Sequence, residues 1–182
     1  MTPLSDDERR GILTSVDSAF RRLGNLYVAV RPEYQRFGFH PPSTGVMARD
    51  LSEQIEQAIV QHCATFTKGV GHCDLARGTE AWEVKICRSG LTINQSKAVG
   101  GENYIVTNYR LSGAPLRPQV DRVFVLWRAT DACFSPRRAN SNARGLHFER
   151  ARDQIEWLYP FTNSQLSSRA HEVFTLDGFT RT

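Results

Sequence analysis

The stretch Gly71–Cys87 constrains this chain more than any other. It runs Gly-His-Cys-Asp-Leu-Ala-Arg-Gly-Thr-Glu-Ala-Trp-Glu-Val-Lys-Ile-Cys and reads as a β-hairpin. Gly78-Thr79 sits at its centre, and glycine is the residue that a tight turn of the primed kind accepts at its first central position. That centre sets Leu75 opposite Trp82 and Asp74 opposite Glu83. Side chains alternate along a strand, so Trp82, Val84 and Ile86 share an apolar face while Glu83 and Lys85 share the other. The apolar face needs a cover. The polar face carries two opposed carboxylates, with Cβ atoms roughly 4.5–5.5 Å apart, and an ammonium beside them.

Two carboxylates held that close repel unless a cation lies between them. A hard divalent cation with oxygen ligands, Mg²⁺ or Mn²⁺, suits such a pair. Lys85 then adds a positive charge beside a metal-bound water, which is chemistry for attack on an anionic ester such as a phosphodiester. Glu-x-Lys alone is common in amphipathic hairpins. Its weight here comes from the opposed Asp, the apolar reverse face and the scarcity of lysine: three lysines (Lys68, Lys85, Lys97) against twenty arginines.

Asp74, Glu83 and Lys85, in the order Asp-x₈-Glu-x-Lys on an apolar strand, resemble the motif of the PD-(D/E)XK nucleases, the superfamily of many restriction endonucleases. Cys73 stands where that motif's leading proline would be. The resemblance implies an α/β protein, a restriction endonuclease-like α/β/α sandwich with a central mixed sheet. It also implies that Asp74, Glu83 and the Val84 carbonyl hold Mg²⁺ or Mn²⁺ while Lys85 orients the water. In such nucleases a preceding helix often lends a glutamate, for which Glu53 is the first candidate here and Glu56 the second. A Gln or Lys beyond the hairpin often touches the scissile phosphate, which points to Gln95 and Lys97, with Arg88 and Asn94 nearby.

Charge distribution fits a polyanionic partner. The chain of 182 residues has a net charge of +4, but residues 1–84 carry nine basic and eleven acidic side chains. Residues 85–152 carry twelve basic and four acidic ones, so positive charge begins at Lys85. A basic segment beside a carboxylate cluster suits a phosphate that must approach bound metal. The stretch 135–145 adds Arg137, Arg138, Asn140, Asn142 and Arg144 without periodicity. Arginine forks onto guanine and asparagine onto adenine, so this segment reads as a DNA-contacting loop, with a plain solvated loop as the alternative.

The remaining chain reads as one domain, residues 1–182, with its core at about 46–128. Ser5 and Glu8 form a capping box for an amphipathic helix over 6–23, ending near Gly24. Leu26–Val30 reads as a short strand and 31–45 as a loop. Met47, Leu51, Ile55, Ala58, Ile59 and Cys63 mark a second helix over 46–66. A turn over 88–91 leads to a short helix over 92–99, then strands over 103–109 and 122–127 that are apolar enough to be covered on both faces. A helix over 148–158 follows, and Leu166, Val173 and Phe174 suggest packing in a C-terminal part, 129–182, that otherwise serves DNA contact.

No apolar run is long enough to span a bilayer, and the acidic N-terminus is unlike a signal peptide, so a cytoplasmic location is expected. Cys63, Cys73, Cys87 and Cys133 form no CxxC pair and read as thiols. His72 with Cys63, Cys73 and Cys87 matches no zinc ribbon or finger. The sequence has no phosphate-binding GKS/T loop, dinucleotide turn or GxSxG elbow. The activity the nuclease resemblance implies is Mg²⁺-dependent hydrolysis of double-stranded DNA, with a type II restriction endonuclease as the leading label. A repair or recombination nuclease and a DNase toxin are alternatives of the same class, and a DNA-binding module with an inactive nuclease fold is the non-enzymatic one. A small chain cutting both strands acts most simply as a homodimer. A restriction role implies a cognate DNA methyltransferase encoded nearby.

Overall fold

Ser5 opens the first helix as expected: its hydroxyl accepts from the Glu8 amide at 3.2 Å, and the Glu8 carboxylate accepts from the Ser5 amide at 2.7 Å. The helix, α1, then runs Asp6–Arg36, through both Gly24 and Pro32. The strand expected over 26–30 is instead helical. The periodicity Phe20, Leu23 extends one turn further to Tyr27, which packs on the core and donates to Asp50 at 2.5 Å. That contact outweighs the roughly 1 kcal/mol that a helical glycine costs. Gly24 is buried and faces Pro118, and a Cβ built there would lie 3.7 Å from that ring, an ordinary packing distance.

The computed structural model describes residues 2–39, 44–88, 92–94, 100–112, 117–136, 139 and 143–159. After α1 come α2 (Thr44–His62), β1 (Phe66–Lys68), β2 (Leu75–Arg77) and β3 (Glu80–Arg88). Then follow β4 (Thr92–Asn94), β5 (Asn103–Ser112), β6 (Arg117–Leu126), a 3-10 turn at Asp131–Cys133 and β7 (Ala143–Gly145). A single-turn helix α3 (Phe148–Ala151), a 3-10 turn at Arg152–Gln154 and β8 (Ile155–Tyr159) complete the described chain. The helix expected over 148–158 therefore stops after one turn at Ala151, and from Ile155 onward the chain is strand. Glu156 explains why: on β8 it accepts from Arg9 at 2.7 Å and from the Trp127 indole at 2.9 Å, partners far away in sequence. Thr92–Asn94 likewise pairs with β7 instead of starting a helix, and residues 95–99 lie outside the described residues.

The main sheet has the order β1-β2-β3-β5-β6-β8. Only β3 and β5 run parallel; every other described pair is antiparallel. Helices α1 and α2 cover one face, burying Ile12, Phe20, Leu51, Ile55 and Ile59 against Trp82, Val84, Ile105 and Val125. The opposite face buries Cys87, Tyr104, Val106, Phe124 and Leu126 under Cys133, Phe134, Leu146 and Ala151. Strands β5 and β6 are thus covered on both sides, which matches the apolar runs Tyr104–Val106 and Val123–Leu126 at their centres. The protein is a mixed α/β fold. Among the described residues, both long helices share one face, and the second face is closed by the single-turn α3, the β4–β7 ribbon and irregular chain. None of the described helices is long and apolar enough to cross a membrane.

Candidate active site

The hairpin has the register its turn chemistry dictates. Leu75 pairs with Trp82, Ala76 with Ala81 and Arg77 with Glu80. Gly78 takes φ +57°, a value glycine adopts without cost at the first central position of the turn. Trp82 and Val84 are buried on the helical side, which turns Glu83 and Lys85 to the other face.

Asp74 lies just before β2 and continues the pairing with its side chain. Its carboxylate accepts from the Val84 amide at 2.7 Å, where a strand carbonyl would otherwise serve. The Lys85 ammonium then lies 2.5 Å from Glu83 and 3.9 Å from Asp74, so one cation stands against carboxylates from both strands. The loop preceding Asp74 is closed by the Gly69 amide, which donates to the Asp74 carbonyl at 3.0 Å. A Cβ at Gly69 would fall 2.1 Å from the Cys73 carbonyl oxygen, so no other residue fits there without moving the loop.

A third carboxylate comes from α2. Burial pushes the Glu56 carboxyl up to about 7, the nearby Asp74 charge pushes in the same direction, and the Ser52 hydroxyl and Lys85 oppose them. Ser52 Oγ lies 3.1 Å from Glu56 and 3.3 Å from the Val84 carbonyl, and its single proton serves one of them at a time. Glu53 lies on the same helix with its side chain exposed. Glu56, the second candidate, is therefore the half-buried carboxyl that feels the charges of Asp74 and Lys85, while Glu53 is exposed. Burial also raises the Glu83 carboxyl, against the hydrogen bond and charge of Lys85, with Asp74 and Glu102 adding repulsion. Carboxylates thus outnumber the single ammonium.

The hairpin is bolted down at its far end. Arg77 donates to Glu8 at 2.7 and 3.1 Å, to Glu80 at 3.2 Å, and to the Thr2 and Pro3 carbonyls at 2.8 and 3.0 Å. Burial pushes the Glu8 carboxyl up, yet hydrogen bonds from Thr65, the Ser5 backbone and Arg77 hold it below its ordinary value.

Carboxylate oxygens and a peptide carbonyl form an all-oxygen donor set, the kind that Mg²⁺ and Mn²⁺ take, so the residues present fit such an ion chemically. As the chain stands, the Lys85 ammonium neutralises the pair. Among the described residues, no three His, Cys, Asp or Glu side chains converge into a ready-made metal cage.

The other sequence candidates are dispersed. Arg88 is exposed at the end of β3, and Asn94 closes β4 opposite Ala143. Arg144, expected to face DNA, is 3% exposed and committed to the fold. Its guanidinium donates to Asp131 and the Ser135 carbonyl, each at 2.7 Å, and lies over the Phe134 ring. Gln95, Lys97, Arg137, Arg138, Asn140 and Asn142, like the tail from 160 to 182, lie outside the described residues. His72 is exposed in a turn, while Cys63, Cys87 and Cys133 are buried thiols. Sequence reasoning missed Ser52 and Glu102. Ser52 and Glu56 are four residues apart on α2, a legible signal. Glu102 joins only because β3 and β5 pair in parallel with Trp82 opposite Asn103. No family profile matches this chain, and no curated protein matches it significantly.

Proposed function

We propose that this protein is a Mg²⁺-dependent DNA endonuclease, with a restriction-type enzyme as the best single description and a restriction endonuclease-like core as its scaffold. The observation that carries this reading is the Lys85 ammonium held between Glu83 on β3 and Asp74 just before β2, with the half-buried Glu56 within its field. Asp74, Glu83 and the Val84 carbonyl would hold the ion, and Glu56 would complete its surroundings. A bound Mg²⁺ would supply a water of lowered pKa and neutralise charge on the phosphate. Lys85 would orient that water through its ammonium and stabilise the charge that develops on the phosphoryl oxygens. The hairpin's role is to fix these groups before substrate arrives, because its register and the Arg77–Glu8 clamp leave little freedom. Hydrolysis would leave a 5′-phosphate and a 3′-hydroxyl.

A second reading, a DNA-binding module without cleavage, is favoured by the contact of 2.5 Å between Lys85 and Glu83, an ion pair complete in itself. Incubating plasmid and phage DNA with purified protein separates the two. A nuclease cuts in Mg²⁺, binds without cutting in Ca²⁺, and loses at least about 10²-fold activity in Asp74→Ala, Glu83→Ala or Lys85→Ala. Full cleavage in any one of these variants refutes the assignment. Discrete fragments mark restriction, preference for a lesion or branch marks repair, and general degradation marks a toxin.

A further inference from the structure

On the face of the sheet that carries Lys85, a second group of residues has the chemistry of a binding site. A cleft of about 290 Å³ opens between β6, α3 and β8, lined by Arg122, Phe148, Glu149, Arg152, Ile155 and Trp157. The rings of Phe148 and Trp157 stack at 5.6 Å with an interplanar angle of 17°, and Phe124 supports both from below, at 5.8 and 5.2 Å. Both stacked rings are partly exposed, and both arginines are exposed. Among the described residues, Arg122 has one loose ion pair, to Asp121 at 3.7 Å, and Arg152 has none, so neither guanidinium is held in a tight pair there.

The register ties this cleft to the hairpin site. Lys85 pairs with Val106, Val106 with Phe124, and Phe124 with Trp157, one row straight across four strands. Three strand spacings make that row about 14 Å long. The neighbouring row runs Cys87, Asn108, Arg122, and Arg122 is close enough for its charge to act on the Cys87 thiol.

We propose that this cleft holds one unpaired nucleotide of a DNA strand, its base against Phe148 and Trp157 and its phosphates on Arg122 and Arg152. The flat aromatic pair selects a planar ring, and the two arginines against the single Glu149 select an anion. A volume at the low end of ligand sites suits one nucleotide, not a dinucleotide cofactor. Aromatic stacking beside a basic groove is how sequence-tolerant contacts to unpaired strands are made. The choice of DNA rests on the nuclease reading; the stacking site does not.

Tryptophan emission reads the cleft directly, because Trp82 and Trp127 are 0% and 6% exposed and Trp157 is the partly exposed one of the three. The full chain is titrated in EDTA, where no cleavage occurs, with octathymidylate, its duplex, octauridylate and pyrophosphate. Octathymidylate is expected to quench emission, and the Arg122→Ala/Arg152→Ala double variant to bind it about tenfold more weakly. Trp157→Phe, which keeps an aromatic ring against Phe124, is expected to abolish the quench while labelled octathymidylate still binds by anisotropy. No quench, unchanged affinity in the double variant, or an equal quench by the duplex or by pyrophosphate overturns the proposal. Tighter binding of octauridylate overturns the choice of DNA. Lys85→Ala distinguishes the two readings: it is expected to lose cleavage and keep the quench. A wild-type protein that quenches without ever cutting sinks the nuclease alone, and one that cuts without quenching sinks the cleft alone.

Discussion

Glu56 gives the site a titration near neutral pH. Its carboxyl is pushed from 4.5 up to about 7, first by burial and then by Asp74. Between those two values the folded state holds a proton that the unfolded chain has released, so stability falls as pH rises through the window. The raised Glu83 carboxyl acts with the same sign. Melting temperatures measured in EDTA from pH 4.5 to 8 should therefore decline, and Glu56→Gln should flatten part of that decline. A profile rising over this range, or one unchanged in Glu56→Gln, would contradict the placement of Glu56 beside Asp74. At this scale the sequence was half legible. Asp74, Glu83 and Lys85 followed from spacing alone. The choice between Glu53 and Glu56 did not, because both border the apolar stripe and only the rotation of α2 against β3 separates them. Arg144 looked like its arginine neighbours, and nothing local announced that Asp131, Ser135 and Phe134 would enclose it.

Among the elements, those defined by near neighbours were read well and those defined by distant ones were not. The capping box, the hairpin and the two long apolar strands are local signals, and each appears where expected. The continuation of α1 past Gly24 carries Tyr27 to Asp50, and β8 depends on Arg9 and Trp127, all remote in sequence. The loop 69–74 shows what such an element contributes to chemistry. Its Gly69 amide holds the Asp74 backbone, and the space for a Cβ is already taken by the Cys73 carbonyl. Gly69→Ala should therefore displace Asp74 by a fraction of an ångström or more. Misplacement on that scale costs up to about 10²-fold in rate. Cleavage should fall while far-UV circular dichroism stays native; an alanine variant with unaltered activity would show that Asp74 needs no such support.

For the molecule as a whole, the excess of carboxylate over ammonium near Lys85 predicts coupling between cation binding and stability. An ion that binds the folded state alone stabilises it by about 1.4 kcal/mol at tenfold its dissociation constant. That corresponds to a rise of roughly 3–6 °C in a domain of this size. Calorimetry with Mg²⁺ or Mn²⁺ should show the rise in wild type and lose it in Glu83→Gln. No shift at any cation concentration would remove the metal from the account, whatever the cleavage assays give.

The one parallel pairing, β3 against β5, divides the sheet in a way that bears on how the protein could change. Glu56, Asp74, Glu83 and Lys85 all lie before or on its first strand, β3, inside a continuous run of thirty residues. Arg122, Arg152 and Trp157 all follow it. On the proposed reading, the groups for hydrolysis are encoded in one contiguous block and those for the cleft in another, so a chimera that keeps 56–85 and imports another second half is expected to change target while keeping cleavage.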